Sequence, residues 1–176
     1  MPYCDPMLGL QPSPSQRATL KYFYTVIALF LAQICLGIIT AHYAVEGQDF
    51  YGFPLSEYLP YAVTRTWHQL AVFWIERRGW RLDSIGPAIS GYEPKFQKLG
   101  VDVLYVALLI VVVGSMMGEW LGVQQVFDLD VNFWFGHQGW EYVDLGRFWQ
   151  ILLFAGLMIW LVLVGRSLWP SLMEPE

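Results

Sequence analysis

The chain has 176 residues, of which 56% are hydrophobic and only 14% are charged, whereas an ordinary soluble domain is about a quarter charged. This composition excludes a typical water-soluble domain and predicts a protein of the lipid bilayer. The net charge of -5 argues against the basic surface that nucleic-acid binding requires, so we expect no nucleic-acid partner.

Long uncharged stretches divide the chain into a polar N-terminal segment and one membrane domain. Residues 22–45, 103–118 and 148–165 contain no charged side chain, and a helix of about 20 residues crosses the hydrocarbon core. The sequence therefore predicts an all-α membrane protein with about four transmembrane helices. The predicted segments are a polar segment 1–20, a single membrane domain 21–172 with helices at about 21–45, 58–75, 101–121 and 147–168, and a tail 173–176.

The second predicted helix, 58–75, is interrupted by charge. Residues 66–75 are uncharged, but five charged residues follow within a short segment. Each charge at the centre of a bilayer costs several kcal/mol, so we expect a disrupted helix that bends or leaves the hydrocarbon part-way. The charged residues are Glu76, Arg77, Arg78, Arg81 and Asp83.

Basic residues are concentrated on one side of the predicted membrane. Eight of the ten Lys and Arg residues precede the first uncharged stretch at residue 22, lie between residues 76 and 99, or follow the last uncharged stretch at residue 165. Because cytoplasmic loops carry the excess of Lys and Arg, we expect both termini to be cytoplasmic.

All three histidines fall toward the outer side of this topology. His42 ends the first apolar stretch, where a solvated or capping histidine is the usual case. His68 lies inside the second apolar stretch, where an unpaired imidazole is costly and either a haem iron or a neighbouring helix would satisfy it. His137 belongs to the outer loop, where composition alone predicts a solvated side chain.

Several motifs resemble one family of membrane enzymes. The segment Arg65-Thr66-Trp67-His68, with the apolar residues 70–75 after it, is similar to the start of the second helix in quinol-dependent nitric oxide reductases of the haem-copper oxidase superfamily. The similarity covers nearly the whole chain. Its other segments are 13–23, 39–43, 88–94 and 136–147.

By this resemblance the chain corresponds to the N-terminal part of the haem b-binding catalytic core, a partial haem-copper oxidase-like bundle in the bacterial inner (cytoplasmic) membrane. His68 is then an axial ligand of the low-spin haem b iron. Glu141 corresponds to a glutamate that holds calcium near the haem propionates, or is a solvated loop acid. Arg147 pairs with a propionate, or only marks the interfacial end of the fourth helix. The implied partners are lipid, a quinol and the missing remainder of the reductase.

Two features depart from the family pattern. Gln69 follows His68 one place earlier than in the family, and one deleted residue turns the rest of a helix by about 100°. Charged residues 76–84 also replace an apolar stretch. One permitted choice of codons for this segment, read two bases later, encodes Thr-Ala-Trp-Leu-Ala-Thr-Gly-Leu. A local frame slip is therefore one hypothesis for the charged patch, and the codons of the gene test it.

Residues that the chemistry of the family needs are missing from the sequence. No histidine follows His137, whereas the reductase needs a second axial histidine, a proximal histidine for its high-spin haem, and a histidine triad for its non-haem iron. We therefore expect a fragment that carries one haem b ligand but no catalytic residue, and that does not reduce 2 NO to N2O alone. The alternatives are a small haem b membrane cytochrome, in which two chains each contribute His68, and an inactive frame-shifted remnant.

Overall fold

The computed structural model describes residues 12–76, 93–137 and 145–173. These residues are helical, apart from turns and one isolated antiparallel bridge between His137 and Leu145. The prediction of an all-helical protein is therefore confirmed for the described residues. Their helices are α1 Pro14–Ala18, α2 Leu20–Val45, α3 Leu55–Tyr58, α4 Tyr61–Glu76, α5 Gln97–Val123, α6 Leu129–Phe135 and α7 Arg147–Met173.

Three helical segments are long and apolar enough to cross a membrane: Pro14–Val45, Gln97–Val123 and Arg147–Pro170. Large apolar side chains on these helices are exposed, among them Ile27 on α2 and Phe154 on α7. Lipid tails are the solvent that suits such side chains. The chain is therefore a membrane-associated protein, with three candidate spans in its described residues where about four were predicted from the sequence.

The predicted second transmembrane helix corresponds to α4, which is 16 residues long up to Glu76. At 1.5 Å per residue its described part extends about 24 Å. Its start also differs from the prediction, because Leu59 and Pro60 separate it from α3. Leu59 is not helical (φ -126°, ψ 73°), as expected for a residue that precedes proline. The charged residues after Glu76 lie outside the described residues.

Side-chain hydrogen bonds fix how α5 packs beside α2 and α4. The Tyr22 hydroxyl at the start of α2 donates to the Val101 carbonyl at the start of α5, at 2.8 Å. At the other end of α5, Trp120 Nε1 donates to the Tyr58 carbonyl at 2.7 Å. Helix α5 therefore runs parallel to α2 and antiparallel to α4. We call the end where α2 and α5 begin the proximal end, and the end where α5 stops and α7 begins the distal end.

Helix α7 packs antiparallel against α5 through small residues. Gly100 early in α5 faces Leu163 late in α7, and Gly114 faces the indole of Trp149 early in α7. A Cβ atom at either glycine would come within 3.0 Å of the facing side chain. Small residues are the usual means by which membrane helices approach closely.

The helices differ from the predictions in three further places. Helix α5 begins at Gln97 rather than 101, since the buried Gln97 side chain donates to the Leu163 carbonyl at 3.2 Å. Helix α6 forms in the predicted outer loop, where the Asp128 side chain accepts from the Val131 N–H at 2.9 Å and caps the helix. Helix α7 continues to Met173 rather than 168.

Candidate functional site

His68 lies on the face of α4 that contacts α2. Its Nδ1 atom is 2.8 Å from the backbone carbonyl oxygen of Gln33. Because a carbonyl oxygen only accepts, Nδ1 carries the hydrogen of this bond, and Nε2 is the ring nitrogen left for another partner. Metal-ligating histidines have this arrangement as a rule, since their other ring nitrogen donates to a carbonyl, a carboxylate or water.

Gly37, one helical turn beyond Gln33 on α2, provides the space for this imidazole. A Cβ atom at Gly37 would lie 2.8 Å from Cε1 and 3.0 Å from Nδ1 of His68. A larger residue would therefore push the ring away from the Gln33 carbonyl. Glycine is a poor helix former, so its presence in the middle of a membrane helix is explained by this contact.

The imidazole lies well within the apolar length of the helix pair. His68 is about 10 Å along α4 from the first residue of that helix, and Gln33 is half-way along the 26 residues of α2. The hydrogen bond to Gln33 satisfies Nδ1. Among the described residues Nε2 has no hydrogen-bond partner. This nitrogen is the atom that a metal would bind.

The opposite side of α4 is held by α5. The indole Nε1 of Trp67, next to His68, donates to the Met116 carbonyl at 3.0 Å. Val63 and Thr64, one turn earlier, are fully buried. Because α4 is held on both sides, the direction in which it presents His68 is set by the packing of the helices.

A second polar group, which the sequence did not predict, lies at the distal end of α5. The Glu119 side chain is only 4% exposed, and its Oε2 lies 3.6 Å from Nε2 of His137. The Thr66 side chain of α4 also forms a hydrogen bond with Glu119. The prediction of a solvated loop residue is therefore wrong for His137, whose side chain is 20% exposed and faces a buried carboxylate.

Backbone bonds and close glycine contacts position His137. Asn132 of α6 accepts from the His137 N–H at 3.0 Å and donates to the His137 carbonyl at 2.7 Å. Gly118, next to Glu119, faces the Phe135 carbonyl oxygen at a distance that leaves no room for a Cβ atom. The loop that carries His137 is thereby fixed against α5.

His42 is engaged at the distal end of α2, away from the His68 ring. Its imidazole stacks on Phe50 with ring centroids 4.2 Å apart, and its Nδ1 lies 2.9 Å from the Glu46 carboxylate. The sequence indicated a solvated or capping histidine at this interface, and the side chain is 36% exposed.

Arg147 and Glu141 are the other residues that the resemblance singles out. Arg147 is exposed at the first position of α7, where its Nη1 donates to the Gln150 side chain at 2.9 Å. Glu141, the calcium ligand by resemblance, lies outside the described residues. Within the described residues no group of three or more His, Cys, Asp or Glu side chains could hold a metal ion.

No protein-family model matches the chain, and no curated protein matches it.

Proposed function

We propose that the chain binds haem b through His68 and represents the first helices of a quinol-dependent nitric oxide reductase of the haem-copper oxidase superfamily. The observation that best supports this proposal is the 2.8 Å hydrogen bond between His68 Nδ1 and the Gln33 carbonyl. It holds the imidazole between α2 and α4 with Nδ1 engaged, which leaves Nε2 as the nitrogen that would bind a metal. That is the donor chemistry that haem iron needs.

The described residues fit one axial ligand of a low-spin haem. His42 lies beside Glu46, and His137 lies beside Glu119, so the geometry favours neither of them as the second ligand. The second ligand would therefore come from a further segment or a second chain. A bound haem b would supply one-electron transfer, and His68 would hold its iron through Nε2.

In this proposal the chain takes part in electron transfer from a quinol, and not in the reduction of NO itself. The sequence has no histidine after His137, so the ligands of the high-spin haem and of the non-haem iron would belong to the remainder of the reductase. Helix α4 would be the second of four crossings in a haem-copper oxidase-like bundle, beside the three candidate spans. The basic residues of the sequence favour cytoplasmic termini in a bacterial inner membrane.

Arg147 and Glu141 are proposed to serve the propionate side of the haem. Arg147 begins α7 at the distal end, and His68 lies nearer to that end than to the proximal one. The Arg147 guanidinium is 5.7 Å from the centre of the Phe133 ring. This cation would be available to a propionate. Glu141 would add a carboxylate ligand for calcium at the same place.

A small haem b cytochrome is the second candidate function, with His68 from each of two chains as the axial ligands. The engagement of His42 and His137 by carboxylates favours this arrangement, since a second copy of the chain brings a second His68. It predicts one haem for two chains in the absence of any other subunit. The reductase proposal predicts stable haem only when the remaining helices are present.

The first experiment is a reduced-minus-oxidised visible spectrum of membranes that contain the chain, alone and together with the remaining helices of a reductase. We expect a haem b signal that is lost in His68→Ala and kept in His42→Ala, the matched control on α2. A signal that survives in His68→Ala would refute the ligand assignment. Complete absence of haem from the inserted chain in both settings would favour the frame-shifted remnant.

A further inference from the structure

A cavity of about 720 Å³ lies at the proximal end of the bundle, between α1 and the first turns of α5. Its volume is within the range of pockets that hold small ligands, about 300–1,000 Å³. The wall formed by α1 is fixed in place, since the backbone N–H of the fully buried Ser15 donates to the Glu93 carboxylate at 3.0 Å. The cavity is lined by Pro12, Pro14, Arg17, Ala18, Lys98 and Asp102.

The lining of this cavity has an excess of positive charge. The Asp102 carboxylate forms an ion pair with Lys21, so its negative charge is already compensated. Arg17 and Lys98 are exposed, and among the described residues neither side chain has an ion-pair or hydrogen-bond partner. Two exposed cationic side chains therefore line the cavity.

The cavity lies at the proximal ends of two candidate membrane spans. The first membrane helix begins with Leu20, directly after α1, and α5 begins at Gln97. Leu99 and Val103, which neighbour the cavity residues on α5, are 57% and 49% exposed. A ligand with a charged head and apolar chains would contact both surfaces at once.

We propose that this cavity binds the phosphodiester headgroup of an anionic phospholipid. The Arg17 guanidinium offers paired N–H donors that match phosphate oxygens, and Lys98 adds a point charge. The acyl chains lie along the exposed apolar side chains of α5. Basic pockets between membrane helices are known to take such headgroups on the cytoplasmic side, where the basic residues of this chain are concentrated.

Native mass spectrometry of the purified full chain, with equal amounts of phosphatidylglycerol and phosphatidylcholine, tests this assignment. We expect the wild-type chain to retain phosphatidylglycerol preferentially. Arg17→Gln and Lys98→Gln should each lower that preference about fivefold, since a basic side chain near anionic lipid contributes on the order of 1 kcal/mol. Lys95→Gln is the matched control, because Lys95 is an equally exposed lysine that does not line the cavity.

Three results would overturn the proposal. Equal retention of the two lipids by the wild-type chain would show that the cavity does not select an anionic head. An equal effect of Lys95→Gln and Lys98→Gln would show that the attraction is diffuse. Displacement of phosphatidylglycerol by excess inorganic phosphate would assign the cavity to a free anion. Far-UV circular dichroism of each variant verifies that the helices are intact, and the lipid proposal stands independently of haem binding.

Discussion

Replacing Gly37 by alanine should separate the stability of the α2–α4 pair from its ability to hold a haem ligand. The new Cβ would lie 2.8 Å from Cε1 of His68, so the imidazole must move away from the Gln33 carbonyl. Loss of that hydrogen bond costs roughly 0.5–1.5 kcal/mol. Alanine gains roughly 0.5–1 kcal/mol over glycine inside a helix. The free energy of unfolding should therefore change by less than about 1 kcal/mol.

Haem affinity should respond much more strongly to the same substitution. When a ligating histidine loses the group that binds its other ring nitrogen, metal affinity typically falls by about 10–100-fold. We therefore expect Gly37→Ala to weaken haem binding at least about tenfold, and His68→Ala to abolish it. The assay is a haem titration followed by Soret absorbance, together with chemical unfolding followed by circular dichroism, both in the same detergent.

Gly165→Ala on α7 is the control for the glycine substitution, because a Cβ built there meets nothing within 4 Å. It should gain roughly 0.5–1 kcal/mol of stability and leave haem binding unchanged. Wild-type haem affinity in Gly37→Ala, combined with loss of haem in His68→Ala, would refute the view that the Gln33 carbonyl orients the ligand.

Three further variants test the packing of α5. Gly118→Ala should lower the free energy of unfolding by about 1–3 kcal/mol, because its Cβ would overlap the Phe135 carbonyl; an unchanged thermal melt would contradict this. His137→Ala should lower the free energy of unfolding, because the buried Glu119 carboxylate loses the imidazole that lies 3.6 Å away, and a double-mutant cycle with Glu119→Gln should show coupling between the two residues. Asp102→Asn should lower the free energy of unfolding by less than about 1 kcal/mol, since the Asp102 side chain is 36% exposed. High salt should reduce this loss, because salt screens the ion pair of Asp102 with Lys21.

The long helices were predictable because their signal is local. A membrane helix satisfies its own backbone, so an uncharged stretch of sufficient length is enough to indicate one. Helix α2 at Leu20–Val45 and the start of α7 at Arg147 lie where the uncharged stretches end. The start of α5 was not predictable in this way. Gln97 is polar, and only its contact with the Leu163 carbonyl, far along the chain, explains why it is buried.

The position of His68 within an apolar helix could be predicted from the sequence, but the contacts of its side chain could not. The apolar residues around His68 indicate that its imidazole needs a partner, but the identity of that partner depends on the register between α2 and α4. Neither the Gln33 carbonyl nor the space at Gly37 follows from a local pattern. Glu119 was missed for a related reason. An acidic residue directly after an uncharged stretch is typical of a helix end, so the sequence around Glu119 does not indicate a buried polar contact. The contact between Glu119 and His137 depends on how the distal loop folds back.

Hydrogen bonds from side chains to backbone carbonyls connect the helices at several depths. Lipid gives no hydrophobic driving force for helix association, so close packing and such polar contacts must set the register. The bond from His68 to Gln33 is one of these contacts and joins α4 to α2. The orientation of the His68 ring is therefore set by its bond to α2, while the bond from Trp67 to the Met116 carbonyl of α5 holds the other side of α4.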